Sequence, residues 1–144
     1  MDDSEKILSL LKPMLLNVRN VGTVNTANTL AMAKKTMHEQ TADVVILDVH
    51  LPDGLSIDFL KWIKTVYPKT CVIMLSNHSD AFFRASVKKL GADYFFDKST
   101  EFEEIPKILS AIVYQDYPDF PKRQKEITRM KGKKVINLLF RKSV

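Results

Sequence analysis

The sequence predicts an α/β fold: a parallel sheet with helices on both faces. Three observations carry this. First, Val44 to Leu47, Cys71 to Leu75 and Asp93 to Phe96 are short, mostly apolar runs. Such runs read as strands buried on both faces, as in a parallel sheet. Second, the segments between them carry apolar residues at three- and four-residue spacing, so strand and helix alternate. Third, each run ends on a chemically able side chain: Asp48, then Ser76-Asn77, then Asp97-Lys98-Ser99. Right-handed crossovers place all three ends on one edge of the sheet. That edge is where open α/β sheets keep their ligands. A carboxylate such as Asp48 is costly there unless it is hydrated, paired, bound to a metal or used chemically. The alternative for Asp48 is a residue that merely opens a loop.

The elements follow in order. Ser4 can cap a helix running to about Leu16, with Ile7, Leu8, Leu11, Met14 and Leu15 on one side. Pro13 inside it predicts a kink. Val18 to Val24 reads as a short strand. Thr26 to Glu39 reads as a helix that offers Ala27, Leu30, Ala31 and Ala33 for packing. The Asp48 strand comes next, closed by the turn Pro52-Asp53-Gly54. Residues 55–66 form a helix with Leu55, Phe59, Leu60 and Ile63 inward, and Pro68 ends it. Trp62 on this helix is assigned to packing. After the Cys71 strand, Asp80 to Leu90 is a helix that Gly91 stops. After the Asp93 strand, Glu101 to Val113 is a helix with Pro106 near its first turn.

Leu47-Asp48-Val49-His50-Leu51-Pro52-Asp53-Gly54, Met74-Leu75-Ser76-Asn77, Leu90-Gly91-Ala92-Asp93-Tyr94 and Asp97-Lys98-Ser99 stand in a fixed order, behind Asp2-Asp3-Ser4. In that order and spacing they resemble the receiver domain of two-component response regulators, over roughly residues 2–115. The resemblance implies a three-layer, flavodoxin-like parallel sheet of order 2-1-3-4-5. It implies a bacterial cytoplasmic signalling protein whose Asp48 accepts a phosphoryl group from a histidine kinase or phosphotransfer protein. It further implies Mg²⁺ held by Asp3, Asp48 and the backbone carbonyl of His50, with Asp2 helping through water. Ser76 and Lys98 would bind the phosphoryl oxygens, and Phe95 takes the place of the aromatic residue coupled to the switch hydroxyl. The downstream protein is not named by these residues. Such a chain is no ordinary enzyme; at most it catalyses its own phosphorylation and dephosphorylation.

These residue types suit that chemistry. A carboxylate can act as a nucleophile and form an aspartyl phosphate. Phosphoryl transfer is mainly positioning and charge neutralisation. Mg²⁺ takes oxygen ligands and keeps several waters, so two carboxylates and a carbonyl suffice. A lysine supplies a point charge and a serine hydroxyl a donor. A new bond to Ser76 would draw in the following loop, which is the expected switch. His50 and His78 also stand near the site, but no further Cys or His follows at zinc spacing.

Three departures from the resemblance stand out. Asn77 is larger than the family's usual residue there and is expected to slow hydrolysis of the phosphoryl group. Ser99 replaces the proline that usually follows the lysine, and without Pro a cis peptide is far less favourable. The family's first strand precedes its paired acids, yet Asp2 and Asp3 directly follow Met1. That strand belongs in the middle of the sheet, and an empty slot would leave backbone groups unpaired.

Residues 133–140, Lys-Lys-Val-Ile-Asn-Leu-Leu-Phe, offer a replacement. They could enter the slot of their own chain or that of a second copy, giving a strand-exchanged homodimer. Asn137 is the flaw in this strand. The alternative is an amphipathic helix or a disordered extension. The domain division is therefore a receiver over 1–115 and a basic extension over 116–144.

Residues 121–144 hold nine Lys and Arg against one Glu, or +8, so the rest of the +5 chain sums to −3. A basic tail can bind nucleic acid nonspecifically. Twenty-four residues are too few for a helix-turn-helix with its own core, so a solvated tail or lysine-flanked strand is preferred. A pseudo-receiver that binds partners without phosphorylation is the other alternative. The 144 residues, 45% apolar, can bury one core. No run of 18 apolar residues occurs, which predicts no membrane span, and no secretory signal is visible. The single Cys71 is expected in the core, in a reducing compartment.

Overall fold

The apolar runs become the centre of one sheet. The structure is a computed structural model that describes residues 3–18, 21–51, 54–77, 81–116 and 134–139. Its elements are α1 (Asp3–Leu16), β1 (Val21–Ala27), α2 (Leu30–Glu39), β2 (Val44–Asp48), β3 (His50–Leu51), β4 (Gly54–Leu55), α3 (Ile57–Val66), β5 (Cys71–Ser76), α4 (Ala81–Lys89), β6 (Tyr94–Asp97), α5 (Glu104–Asp116) and β7 (Lys134–Leu139). Five strands pair in the order β1-β7-β2-β5-β6, all parallel. The short pair β3–β4 is antiparallel, with His50 opposite Leu55 and Leu51 opposite Gly54.

Alternation along the strands divides the core into two layers. Val45, Leu47, Val72, Met74 and Phe95 pack with Ala33, Met37, Phe59, Leu60, Ile63 and Val87 of α2, α3 and α4. Val44, Ile46, Ile73, Leu75, Ile136 and Leu138 pack with Leu11 and Leu15 of α1 and Ile105 and Leu109 of α5. Helices on both faces give the three layers expected.

The central slot is filled by β7. It pairs with β1 from Lys134 to Leu139 and with β2 from Ile136 to Leu139. The strand read in residues 133–140 thus takes the place the resemblance leaves open for a first strand, and it enters the sheet of its own chain. Asn137 is buried, yet it is no flaw. Its Oδ1 accepts a hydrogen bond from Asn25 Nδ2 at 3.1 Å, and its Nδ2 meets Met37 Sδ at 3.3 Å. The Asp43 carboxylate accepts the Val135 N–H at 2.7 Å, and Asp43 N–H donates to Val135 O at 2.9 Å. A buried polar group is cheap only when bonded, so these contacts also fix the register.

Several boundaries differ from expectation, each for a physical reason. β1 runs three residues past Val24, because Asn25, Thr26 and Ala27 pair with Asn137, Leu138 and Leu139. The next helix consequently starts at Leu30, with Thr29 as N-cap; its Oγ1 accepts Met32 N–H at 3.1 Å. Ala33 packs as predicted, but Ala31 is exposed. α1 begins at Asp3, so Ser4 lies in its first turn rather than capping it. Leu55 belongs to β4 rather than to α3. α5 begins at Glu104, after a bend in which Glu104 N–H bonds Glu101 O. Cys71 is half-buried at the start of β5. Trp62 packs, stacked on Phe59 at 5.4 Å between ring centroids. Among the described residues no helix is long and apolar enough to cross a membrane.

Candidate functional site

Asp48 ends β2, and its neighbour Leu75 on β5 is followed by Ser76. Ser76 in turn pairs with Asp97, the last residue of β6. Lys98 N–H donates to Ser76 O at 3.0 Å, which extends the ladder one residue beyond the strand. Asp48, Ser76 and Lys98 therefore meet on the carboxyl edge, as the crossover argument requires.

All three are buried, at 4%, 2% and 4% exposure. Burial of a carboxylate and an ammonium demands pairing. Lys98 Nζ lies 2.7 Å from Asp48 Oδ2. Beyond Asp48, Val49 N–H bonds Leu75 O, and Ser56, itself buried, returns its N–H and hydroxyl to Val49 O. The hairpin β3–β4 thereby begins at the site, with the His50 backbone two residues from the acid.

The last turn of α1 leads through Val18 to Val21 at the amino end of β1. Fourteen helical residues rise about 21 Å, close to the length of seven strand residues at about 23 Å. The first turn of α1, with the Asp3 backbone, therefore lies toward the same edge as Asp48. Asp2, the Asp3 and His50 side chains and His78 fall outside the described residues, and among the described ones no three acids, His or Cys cluster about a metal position. The donor chemistry still suits a hard cation: a buried carboxylate at a strand end, with a backbone carbonyl two residues on.

The loop after Lys98 is held without a proline. Asp97 Oδ1 accepts the Ser99 and Thr100 N–H groups at 2.8 and 3.0 Å. Ser99 Oγ reaches Asn77 Oδ1 at 3.1 Å, which ties this loop to the one after Ser76. Glu101 Oε1 accepts Asp97 N–H at 3.0 Å and forms an ion pair with Arg84 of α4. Hydrogen bonds from Arg84 and from the Asp97 backbone hold the Glu101 carboxyl below its ordinary range. Arg84 also lies over the Phe95 ring, 5.0 Å from its centroid, and donates to Phe95 O at 3.4 Å. Phe95 is buried, its ring edge-to-face with Phe83 at 5.8 Å.

Asp48, Ser76, Lys98 and Phe95 are the residues expected from the sequence; Arg84 and Glu101 are not among them. The only signal was indirect: Ser99 in the proline position leaves a backbone N–H that needs an acceptor, and Asp97 and Glu101 are the nearby acids.

Comparison with known proteins agrees with this geometry. Residues 1–110 match the family model of the response regulator receiver domain. The chain is 26% identical over 121 residues to the Fimbriae Z protein of Salmonella typhimurium, covering 84% of this chain and 57% of that one. It is 28% identical over 137 residues to the transcriptional regulatory protein GltR of Pseudomonas aeruginosa, covering 94% and 52%. The chain thus spans little more than half the length of these curated relatives. Among solved structures, the beryllofluoride-activated NtrC4 receiver domain dimer superposes with a TM-score of 0.68 at 30% identity, over 81% of this chain and 93% of that one. A sheet in which the ends of β2, β5 and β6 bring an acid, a hydroxyl and a lysine together, and a family match over most of the sequence, lead to one conclusion: the chain belongs to the response regulator receiver domain family.

Proposed function

We propose that this receiver accepts a phosphoryl group on Asp48 from a histidine kinase or phosphotransfer protein in the bacterial cytoplasm. The observation that carries the reading is the buried Asp48–Lys98 pair beside Ser76. A buried ion pair adds little stability relative to apolar packing, so its presence at a ligand-binding edge argues for use.

A carboxylate oxygen of Asp48 attacks the phosphorus of a phosphohistidine. The new O–P bond forms as the N–P bond breaks, and its electron pair stays with the imidazole nitrogen. Lys98 sits where the incoming phosphoryl oxygens add negative charge, and its ammonium can turn from Asp48 to them. The Ser76 hydroxyl donates to another phosphoryl oxygen and draws its loop toward Asp48. Phe95, one strand over, transmits that shift to the surface near α4. Asp48, Asp3 and the His50 carbonyl would hold Mg²⁺, with Asp2 acting through water. When bound, the ion neutralises charge on the transferred group.

The test is intact mass after incubation with Mg²⁺ and acetyl phosphate. One phosphoryl adduct is expected in the parent and none in Asp48→Ala. An unmodified but folded parent, or an adduct that persists in Asp48→Ala, would refute the assignment.

A further inference from the structure

Position 99 poses a mechanical problem. A proline after the lysine would restrict the backbone by its ring alone, whereas Ser99 does not. Nevertheless Lys98 Nζ reaches Asp48 at 2.7 Å. Something else must hold the loop, because fixing a flexible lysine in one rotamer costs side-chain entropy.

We propose that Glu101, oriented by Arg84, is the positioning residue for Lys98, and that it links the site to the switch face of α4. This rests on the phosphoacceptor reading above. Four hydrogen bonds tie Glu101 and Asp97 into this loop. Its carboxylate accepts the N–H of Asp97, the residue immediately before Lys98. Its own N–H donates to Asp97 O at 2.9 Å, so both polar backbone groups of Asp97 are committed to residue 101. That leaves the Asp97 side chain to collect the Ser99 and Thr100 N–H groups. Lys98 is thus enclosed in a closed turn whose N–H groups at 97, 99 and 100 all meet carboxylate oxygens.

The far side of Glu101 is Arg84. Its guanidinium pairs with that carboxylate, lies on the Phe95 ring and donates to Phe95 O. A planar fork can make these contacts at once, and a lysine cannot. A displacement of the Lys98 loop therefore pulls on the residue that covers the Phe95 ring. Glu101 is a coupling point as well as a support.

The test uses the full chain and two readouts. The first is independent of phosphorylation: the rate at which a water-soluble acetylating reagent labels Lys98, read by peptide mass spectrometry. The second is the rate of adduct formation with acetyl phosphate, resolved into half-saturation and limiting rate. In Glu101→Ala, Lys98 labelling is expected to rise about tenfold as the loop opens locally. The limiting phosphorylation rate is expected to fall about tenfold with half-saturation unchanged, as for a misplaced catalytic group. Glu101→Gln keeps an acceptor for Asp97 N–H and for Arg84, and should stay close to the parent in both. Glu104→Ala, whose partner is the exposed Lys107, is the control and should change neither.

Unchanged Lys98 labelling in Glu101→Ala overturns the proposal. So does faster labelling with an unchanged phosphorylation rate, since Glu101 would then be merely structural. Equal rises in labelling at Lys98 and at Lys64, which is held by Asp93 on another face, would reveal global loosening and also overturn it. If the parent takes no phosphoryl group, the phosphoacceptor reading fails, while the labelling arm still decides whether Glu101 positions Lys98.

Discussion

Truncating Leu138 to Ala tests the placement of β7 at the centre of the sheet. Leu138 is fully buried and pairs with Thr26 on one side and Ile46 on the other. It shares its core layer with Ile46, Ile73 and Leu11. The change removes three methylene-sized groups at about 0.8 kcal/mol each, or roughly 2.5 kcal/mol of transfer free energy. A site walled by two strands and a helix layer collapses poorly, so the cavity brings the loss to about 3–4 kcal/mol. With a urea dependence of about 2 kcal/mol/M, the unfolding midpoint should fall by roughly 1.5–2 M. Equilibrium unfolding followed by Trp62 fluorescence and far-ultraviolet circular dichroism measures it. Phe82→Ala, at a side chain 83% exposed, is the control and should stay within about 0.5 kcal/mol. The midpoint should not depend on protein concentration, because β7 enters its own chain's sheet. A loss below about 0.5 kcal/mol for Leu138→Ala would refute the central position of β7, and a concentration-dependent midpoint would show exchange between copies.

Three further outcomes are expected. Asn137→Ala should cost about 1–3 kcal/mol, and a double-mutant cycle with Asn25→Ala should show coupling of about 0.5–1.5 kcal/mol; additive losses would mean that the 3.1 Å bond does not specify register. Gly91→Ala should cost at least about 1 kcal/mol, because φ is +113° and a Cβ would lie 2.9 Å from Lys64 Cγ, whose ammonium is held by Asp93 and Thr70; thermal unfolding measures it. Glu101 has a lowered folded-state pKa from an ordinary 4.5, first because of the hydrogen bond from Arg84. Its contribution is therefore present above that ordinary value and lost as pH falls through the lower folded one. Urea midpoints measured from neutral to strongly acidic pH should fall less steeply in Glu101→Gln, and a parallel fall would show that the pair does not couple to folding.

Much of this molecule could be read in the sequence because its strands are buried on both faces. Val44 to Leu47 and Cys71 to Leu75 need no partner to be recognised, and their ends locate Asp48 and Ser76. β1 was harder. Its Asn25 and Thr26 are polar, and only pairing with β7 makes them strand. Asn137 looked like a defect for the same reason: its partner is 112 positions away. Arg84 and Glu101 are 17 apart, on different elements. No periodicity links them, and their pairing appears only once α4 and the β6–α5 bend are placed. Position 99 is the opposite case: the missing proline can be read directly from the sequence, but not that the Asp97 and Glu101 carboxylates hold the loop in its place.

The central position of β7 has a consequence for how the molecule assembles. Every contact it makes with β1 and β2 joins residues far apart in the chain, and each requires a large loop to close before any stabilisation is returned. The order of synthesis sharpens this. All the other described strands leave the ribosome before residues 134–139, and at that stage β1 and β2 present facing edges with unpaired N–H and C=O groups. Open edges of that kind recruit strands from other chains. Refolding should therefore show a slow phase that Leu138→Ala lengthens if β7 docks before the transition state. Yield at high concentration should depend on how quickly that one strand arrives.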